Sequence, residues 1–351
     1  KKAVQDEVEL ILYEKIGMGT GKQANNPWLQ ELPDPISKAV WDNYIALSPR
    51  WARENGLEQE DVVRISDDLE LPVLLQPGQP YGTASIALGY GRTNAGKVGN
   101  GIGVNVYGLV EYRNRHRLYS GKIVRPERAR RKYRLATTQT HHSMEGRPLI
   151  RETIMDKWKQ KPDAGNEMHK INQKNAVTLY EIPVYQGPHW GLGVDLNKCT
   201  GCSACVTACQ VENNVAVIGK AEVARRRIMH WMRIDRYFSV IGGDKEGPED
   251  FFDIEPENPD VMFQPVLCQH CDNAPCENVC PVAATPHSKE GLNQMAYNRC
   301  IGTRYCMNNC PYRVRRFNWV KHVDNDKFDY NFNEEMSKMV LNPDVTVRSR
   351  G

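Results

Sequence analysis

Eleven cysteines are the most chemically informative residues of the chain, and all of them lie between positions 199 and 310. The first 198 residues contain none. Cysteines gathered in one part of a sequence are typical of a dedicated metal-binding domain rather than of disulfides spread over a surface. They form three runs: Cys199, Cys202, Cys205 and Cys209; Cys268, Cys271, Cys276 and Cys280; and Cys300, Cys306 and Cys310.

The spacing within the first run, C-x2-C-x2-C-x3-C, is that of bacterial ferredoxins. Its short gaps let one loop supply three corners of an iron–sulfur cubane, while the fourth cysteine turns away towards a second cluster. Zinc is the alternative metal, but zinc sites usually join two C-x2-C pairs by a longer spacer. Each run here has its ligand positions within 11 to 13 residues, and two runs end in Cys-Pro. The spacing therefore predicts iron–sulfur clusters.

The second and third runs pair as one ferredoxin-like unit when the crossed ligation of two-cluster ferredoxins is applied to them. This pairing predicts a [4Fe–4S] cluster held by Cys268, Cys271, Cys276 and Cys310. A second cluster is then left with the thiolates of Cys280, Cys300 and Cys306. Thr303 stands where the remaining cysteine of that cluster is expected. Because a protonated hydroxyl is a poor ligand for cluster iron, this second cluster is predicted to lack one corner and to be [3Fe–4S].

The first run has no partner run in this sequence. Its cysteines Cys199, Cys202 and Cys205 can hold three corners of a [4Fe–4S] cluster. We expect the missing ligand, and the further cluster that Cys209 would serve, to involve a fourth run beyond Gly351. The full protein is therefore predicted to hold three [4Fe–4S] clusters and one [3Fe–4S] cluster, and this chain is expected to be a piece of a longer polypeptide.

Composition narrows the class of protein. The chain has 351 residues, of which 40% are hydrophobic and 25% charged, as in an ordinary folded soluble protein. A net charge of +3 is too small to indicate a nucleic acid or an anionic membrane surface as partner. No apolar run approaches the roughly 18 residues that a transmembrane helix requires. Association with a membrane would therefore need docking on another protein.

The pattern of strands, turns and charges predicts a multidomain α+β protein. Residues 1–120 are predicted to form a β-rich domain, and residues 121–190 a connector. The connector includes the basic run Arg125–Arg134, interpreted as a solvated charge run. Residues 191–351 are predicted to form the iron–sulfur domain, truncated before a fourth cysteine run. A strand-like stretch at 191–196 leads into its first cysteine run.

Individual elements of the first domain can also be predicted. Short apolar strands are expected within Leu71–Pro77 and Tyr81–Arg92, and another within Glu60–Ser66. A helix is expected to begin after Ser48, because Ser at the cap, Pro at the first helical position and a glycine at Gly56 are start and stop signals. In the second domain, alternation predicts a strand within residues 230–240.

Two sets of motifs resemble a known superfamily. In residues 190–340, CQHCDNAPC and CIGTRYCMNNCPY resemble the four-cluster ferredoxin subunits that accompany dimethyl-sulfoxide, polysulfide, nitrate and formate enzymes of the molybdopterin oxidoreductases. In residues 1–110, NPWLQELPDP and LLQPGQPYGT resemble the C-terminal dinucleotide-binding domain of the catalytic subunits of that superfamily. In this order the two domains are similar to the iron–sulfur subunits of alternative complex III, the ActB family.

This resemblance implies a β-rich barrel like the molybdopterin-dinucleotide-binding domain, serving as a scaffold without molybdopterin, followed by a tandem bacterial ferredoxin-like domain. It implies an electron-transfer subunit of a quinol-oxidising respiratory complex, with no independent catalytic site in this chain. The implied partners are an NrfD-like integral membrane quinol-binding subunit and a multihaem cytochrome c. The implied location is the periplasmic side of the bacterial inner membrane.

Two other functions compete with this interpretation. One is the iron–sulfur subunit of a molybdopterin-dependent reductase, such as a polysulfide or dimethyl-sulfoxide reductase. The other is a cluster-bearing nucleic-acid-binding protein. It is suggested by the arginines Arg225, Arg226, Arg227, Arg313, Arg315 and Arg316. Such arginines more simply offset the negative charge of thiolate-ligated clusters, so no nucleic-acid partner is predicted.

Five further residues carry expectations of their own. Arg299, Arg304 and Tyr305 flank the third cysteine run and are expected to help tune the potential of its cluster. His141 and His142 are adjacent in the sequence, so on a strand they would point to opposite faces. We therefore expect these histidines to be structural or hydrogen-bonding residues rather than paired metal ligands.

Overall fold

The computed structural model describes residues 6–144, 147, 149–166, 180–181, 183–239 and 259–319. Its strands are β1 (Val8–Tyr13), β2 (Ile45–Leu47), β3 (Asp61–Ser66), β4 (Leu69–Leu75), β5 (Thr83–Ala87), β6 (Glu111–Arg113), β7 (His116–Leu118), β8 (Ser120–Val124), β9 (Glu127–Lys132), β10 (Arg233–Ser239) and β11 (Asp260–Val266). Its α-helices are α1 (Pro27–Gln30), α2 (Pro49–Glu54), α3 (Met155–Gln160), α4 (Ala204–Glu212), α5 (Lys220–Ala224), α6 (Pro275–Asn278) and α7 (Tyr305–Asn309). Short 3-10 helices span Tyr107–Leu109, Leu196–Lys198 and Tyr297–Arg299.

Seven strands form one mixed sheet in the order β8-β1-β5-β2-β4-β3-β9. Its two edge strands are consecutive in the sequence, because β8 ends at Val124 and β9 begins at Glu127. Three residue steps reach about 11 Å at most, whereas the edges of a flat seven-stranded sheet would lie about 29 Å apart. The sheet must therefore curl until its two edges approach each other. We refer to it as the curled sheet.

The main hydrophobic core lies against one face of the curled sheet. Alternate residues of a strand face opposite sides, and in β1 the side chains of Val8, Leu10 and Leu12 are buried in this core. Trp51 of α2 packs into the same cluster. Ser48 caps α2 and Pro49 is its first residue, so the helix predicted from these two residues is confirmed.

The curled sheet extends into the segment predicted as a connector, since β8 runs from Ser120 to Val124 and β9 from Glu127 to Lys132. The basic run forms the edge strand β9 rather than an irregular loop. Its cations pair with acids of neighbouring segments: Arg128 with Asp61 at 3.0 Å and Lys132 with Glu58 at 2.6 Å. Exposed charge on an edge strand discourages pairing with other chains, so this run keeps the solvated character expected of it.

The iron–sulfur part contains the antiparallel pair β10–β11 and the helices α4 to α7. The strand predicted within residues 230–240 is confirmed by β10. Among the described residues, the stretch at 191–196, predicted to be strand-like, pairs with no strand and runs into the 3-10 helix Leu196–Lys198. Its apolar residues Leu192 and Val194 are exposed, so packing does not favour a strand there. Within the described residues, we find no helix whose length and apolar character would let it cross a bilayer.

A buried carboxylate and an apolar cluster join the iron–sulfur part to the curled sheet. Val40, Trp41 and Ala136 from the sheet side pack with Val223 and Ile228 from the other. The fully buried carboxylate of Glu31 accepts three hydrogen bonds, two of them across the same contact. Its donors are the backbone N–H groups of Ile218 (3.1 Å) and Gly219 (2.8 Å) and Nε1 of Trp41 (3.1 Å). The two parts are therefore packed as one unit.

The pH dependence of stability tests this contact. Burial raises the pKa of the Glu31 carboxyl from 4.5 to about 7, although its three N–H donors oppose the shift. The folded protein therefore retains this proton at pH values where the unfolded chain has lost it. The contribution to stability is fully present below about pH 4.5 and decreases as the pH rises towards 7.

We expect the thermal unfolding midpoint of the wild type to fall relative to that of Glu31→Gln as the pH is raised from about 5 to about 7.5. Both proteins are followed by circular dichroism at one scan rate. Glu58→Gln, at an exposed ion-paired glutamate, is the matched control and should show no such trend. A difference between wild type and Glu31→Gln that does not change with pH contradicts the assignment.

Candidate metal centres

Two cysteine loops share one backbone conformation. Each follows a 3-10 helix and leads into an α-helix, α4 in the first loop and α7 in the second. Each has two residues with positive φ at matching positions. These are Gly201 (+69°) and Ser203 (+60°) in one loop, and Gly302 (+76°) and Arg304 (+65°) in the other. The sequence positions of the loops therefore correspond one to one, although only the first has the full set of cysteines.

This correspondence aligns Thr303 with Cys202, one residue after the glycine in each loop. The glycine of the first loop is required by a close contact as well as by its φ. A Cβ at Gly201 would lie 2.4 Å from Cε1 of Phe263 on β11. A cysteine at position 303 is thus replaced by threonine within an otherwise retained loop.

Four predicted cluster ligands line one cavity, which we call the four-cysteine cavity. Its cysteines are Cys268, Cys271, Cys276 and Cys310. Asn293, Tyr312 and Arg315 complete much of its wall. The second and third cysteine runs therefore meet here in the combination that crossed ligation predicts.

The other predicted set lines a neighbouring cavity, which we call the three-cysteine cavity. It is lined by Cys280, Cys300 and Cys306, with Thr303 beside them. The hydrophobic side chains Val282, Ala284 and Met295 also line it. Thiol donors around an apolar space fit an iron–sulfur group with three cysteine ligands.

The two cavities are linked by short helices that contribute to both. Cys276 lies in α6 and faces the four-cysteine cavity, whereas Cys280, just after this helix, faces the other. The roles are reversed at α7: Cys306 in this helix faces the three-cysteine cavity, whereas Cys310, just after it, faces the four-cysteine cavity. One helical turn therefore separates ligands for different cavities, which keeps the two sites close together.

Arg315 lies between the cavities. It lines the four-cysteine cavity, and its Nη1 donates to Sδ of Met295, which lines the other cavity, at 3.7 Å. Its Nη2 also donates to Oδ1 of Asn293. Burial raises the pKa values of Cys276 and Cys306, and the guanidinium of Arg315 opposes both shifts. Arg315 therefore stabilises thiolate charge on both sides.

Backbone N–H groups stabilise the thiolate charge of Cys280. Burial acts to raise the pKa of its thiol, but N–H groups of Ala284, Val282 and Thr285 outweigh it and hold the pKa below its ordinary value. The N–H of Ala284 lies 3.2 Å from Sγ of Cys280. Donors to a ligating sulfur favour the thiolate that binds iron.

The first cysteine run forms a separate group. Burial raises the pKa of Cys205, and the charges of Cys202 and Cys199 raise it further, so these three sulfurs lie near one another. Cys209 follows one turn later in α4, and Nδ2 of Asn213 donates to its Sγ at 3.6 Å. The fourth ligand predicted for this group falls outside the sequence. The loop nevertheless presents three thiols, Cys199, Cys202 and Cys205, at the positions that Cys300, Thr303 and Cys306 occupy in the third run.

The other predicted site residues have varied surroundings. Arg304 lines the three-cysteine cavity, while its guanidinium lies 4.7 Å from the Trp319 ring centroid. Arg299 donates to the carbonyl of Ala283 at 3.4 Å, and Tyr305 is exposed. Their influence on a cluster potential stays a prediction. Sequence spacing does not single out Asn293 or Met295, because both lie in an irregular stretch outside the cysteine runs.

His142 is a hydrogen-bonding residue, as expected. Its Nδ1 lies 2.7 Å from Nη1 of the buried Arg236, and its carbonyl accepts from the N–H of Phe238. Burial, together with the positive charge of Arg236, lowers the pKa of His142 to about 3. His141 and His142 do not lie on a strand, so the strand geometry used for that expectation does not apply.

Comparison with known proteins agrees with this geometry. Residues 198–284 and residues 259–332 match the profiles of two families that are each described as a 4Fe-4S dicluster domain. Residues 198–332 of this chain thus match 4Fe-4S dicluster domains. The matched residues include all eleven cysteines, so the 4Fe-4S dicluster domains account for every cysteine run.

Curated relatives share the same part of the sequence. The menaquinone reductase iron-sulfur cluster-binding subunit of Nitratidesulfovibrio vulgaris is 40% identical over 163 residues, which are 46% of this chain and 55% of the relative. An iron-sulfur subunit from Halobacterium salinarum, named for a putative dimethyl sulfoxide reductase, is 39% identical over 37% of this chain and 46% of the relative. The Hdr-like menaquinol oxidoreductase iron-sulfur subunit 1 of Archaeoglobus fulgidus is 32% identical over 52% of this chain and 62% of the relative. The chain thus spans about half the length of these relatives.

Arg315→Gln tests the shared cation. Loss of a charge near both cavities should disfavour the reduced state of each bound cluster, by about tenfold in the reduction equilibrium. That change corresponds to about 59 mV for one electron. It is measured by redox titration of the purified protein, followed by electron paramagnetic resonance. Arg299→Gln, which removes a guanidinium bound to a backbone carbonyl, is the control and should shift neither couple as far. A shift confined to one couple would contradict a shared role.

Proposed function

We propose that this chain is the electron-transfer subunit of a quinol-oxidising respiratory complex. The observation that carries the proposal is the pair of adjacent cavities, each lined by the cysteines that crossed ligation predicts, with Arg315 between them. Two sites of this kind, side by side, suit a relay. The dicluster profiles support the presence of iron–sulfur groups.

The chain's own residues would bind and insulate these groups. Iron–sulfur clusters accept and donate single electrons when bound. Cys268, Cys271, Cys276 and Cys310 would hold a [4Fe–4S] cluster, and Cys280, Cys300 and Cys306 a [3Fe–4S] cluster beside Thr303. Arg315 and the N–H donors to Cys280 compensate the thiolate charge. The apolar side chains Val282, Ala284 and Met295 line the second of these sites and lower the polarity around it.

The first run would hold a further [4Fe–4S] cluster through Cys199, Cys202 and Cys205, completed by a ligand beyond Gly351. Cys209 would then serve a fourth cluster. This assignment is supported by the backbone that the first and third loops share. Loss of a ligand at Thr303 usually favours a higher potential, so we place the [3Fe–4S] cluster nearest the quinol site.

The partners belong to the same proposal. Relatives named for menaquinone reductase and menaquinol oxidoreductase support an electron donor or acceptor of the quinone class. We propose an NrfD-like membrane subunit as the quinol side and a multihaem cytochrome c as the acceptor, on the periplasmic side of the inner membrane. In this arrangement the chain corresponds to the ActB subunit of alternative complex III.

The N-terminal domain is proposed to be a molybdopterin-dinucleotide-binding-like barrel that acts as a scaffold and holds no molybdopterin. Support comes from the curled sheet, whose edges are brought together by the two-residue link between β8 and β9. The contacts of Glu31 and Trp41 with the iron–sulfur part suit a scaffold role.

A molybdopterin-dependent reductase is the second candidate, because one relative is named for a dimethyl sulfoxide reductase. Metal analysis of the purified native complex distinguishes the two. Iron without stoichiometric molybdenum is expected, and one molybdenum per complex would favour the reductase. The nucleic-acid alternative is disfavoured by the arginines themselves. Arg225 and Arg227 pair with Glu222 at 2.7 and 2.8 Å, and Arg226 donates to the carbonyl of Thr137 at 3.0 Å.

Thr303→Cys tests the proposed cluster type. A thiol in this loop position should complete the ligand set and convert the [3Fe–4S] cluster into a cubane with a lower potential. The readout is the loss of the S = 1/2 signal of the oxidised protein, together with a gain of iron. Thr303→Ser leaves a hydroxyl in place and is the matched control, for which no loss of signal is expected. An S = 1/2 signal that persists in Thr303→Cys would refute the assignment of position 303.

A further inference from the structure

Lys38 is a buried lysine that the N-terminal domain places beside the first cysteine run. It lies between α1 and β2, where its N–H donates to the carbonyl of Asp34 (3.1 Å) and its carbonyl accepts from the N–H of Thr138 (2.9 Å). The residue is only 1% exposed, and its φ of +59° lies in the left-handed region that a lysine rarely adopts. The fold therefore tolerates both burial and backbone strain to keep a cation at this position.

The ammonium group of Lys38 has no hydrogen-bond partner within the described part of the chain. A buried charge without a partner is costly, so such groups usually face an opposite charge. The ring centroid of Phe263 is 5.8 Å from Nζ of Lys38. The same ring contacts the first cysteine loop at Gly201. One aromatic ring therefore lies against both the ammonium and the loop that carries Cys199 and Cys202.

The electrostatic surroundings of Lys38 also favour an anionic group beside it. Burial and the positive charge of Arg236 lower the pKa of Lys38 to about 8, whereas Cys199 is among the groups that act to raise it. Arg236 is itself buried, but its guanidinium is engaged by the carbonyl of Ile36 at 2.6 Å and by His142 at 2.7 Å. Of these two neighbouring cations, Lys38 is therefore the one whose charge is not directed at a protein acceptor.

The nearby carboxylates do not supply that acceptor. Asp34 accepts from the backbone N–H groups of Ile36 (3.0 Å) and Ser37 (2.8 Å). Asp235 pairs with Arg233 at 2.9 Å. Both acids act on Lys38 over a distance, yet among the residues that the structure describes neither accepts a hydrogen bond from its ammonium. An anionic group held by the first cysteine run would supply the missing countercharge.

We propose that Lys38 provides the countercharge for the iron–sulfur group that Cys199, Cys202 and Cys205 would hold, and that it raises the reduction potential of this group. The inference rests on the proposed cluster at the first run. One electron from a neighbouring reduced cluster adds one negative charge to the group, while Lys38 keeps its protons, so no bond forms or breaks in the polypeptide. A fixed cation nearby favours the reduced form. Lys38 is thus a positioning residue for charge and not a ligand.

The test compares Lys38→Met with the wild type in the purified full-length protein, by redox titration with electron paramagnetic resonance detection. The couple that belongs to the first run is identified beforehand as the one whose signal changes in Cys202→Ser. Loss of the Lys38 charge should lower the reduction equilibrium constant of that couple about tenfold, which is about 59 mV for one electron. The other couples should shift much less, and Lys38→Arg should recover most of the change.

Two further variants keep the test decisive. Lys15→Met removes another buried lysine, whose Nζ donates to the carbonyl of Ala39 at 3.4 Å, and it should leave the first-run couple unchanged. Lys38→Asn is a second neutral variant in case Lys38→Met does not fold, because asparagine tolerates positive φ.

A first-run couple that stays within twofold of wild type in either neutral variant overturns the inference while the proposed function stands. Equal shifts of all couples, or a shift of the same size in Lys15→Met, also overturn it. If Cys202→Ser changes no signal in a protein with the iron of the remaining clusters, the cluster proposed at the first run fails, and the role of Lys38 fails with it.

Discussion

Burial of thiolate charge is the constraint on which the iron–sulfur part of this structure depends. Burial raises the pKa values of Cys205, Cys271 and Cys276, so an isolated thiol at these positions would favour its protonated form. Iron binding requires the opposite state. The fold meets this requirement locally, with a guanidinium between two cavities and with N–H donors at Cys280. Positive φ at four loop positions also contributes, because it turns the backbone of the first and third cysteine loops around their cysteines.

Crossed contributions from short helices have a consequence for electron transfer. Since α6 and α7, each together with the cysteine that follows it, line both cavities, neither cavity can move away from the other without disrupting its own wall. Asn309 of α7 also donates to the carbonyl of Pro275 at the start of α6, at 2.6 Å. A fixed separation favours rapid passage of single electrons, because little rearrangement accompanies the change in charge. The fixed arrangement of the two cavities therefore suits the proposed electron relay and also contributes to stability.

Much of the site could be predicted from spacing, because ligand positions within a cysteine run are set by local geometry. The grouping of Cys310 with the second run, and of Cys280 with the third, follows from that geometry, and both pairs line common cavities. The helix at Ser48 and the strands β3, β4, β5 and β10 also follow from local signals. The roles of β9, Arg315 and Lys38 could not be predicted, because each depends on contacts between residues distant in sequence. A basic run has the same local pattern in a loop and in an edge strand.

The sheet domain is more than a passive support in this arrangement. Its Glu31 is buried against backbone N–H groups of the iron–sulfur part, and its Lys38 is buried beside the first cysteine run. Within this contact surface, the carboxylate of Glu31 lies beside hydrogen-bond donors. The ammonium of Lys38, in contrast, lies where the described residues offer no acceptor. The first satisfies hydrogen bonds that folding requires. The second has no hydrogen-bond acceptor among the described residues, and an anionic group held by the neighbouring loop would compensate its charge. The sheet domain would then contribute to the electrostatic environment of the cluster proposed at the first cysteine run.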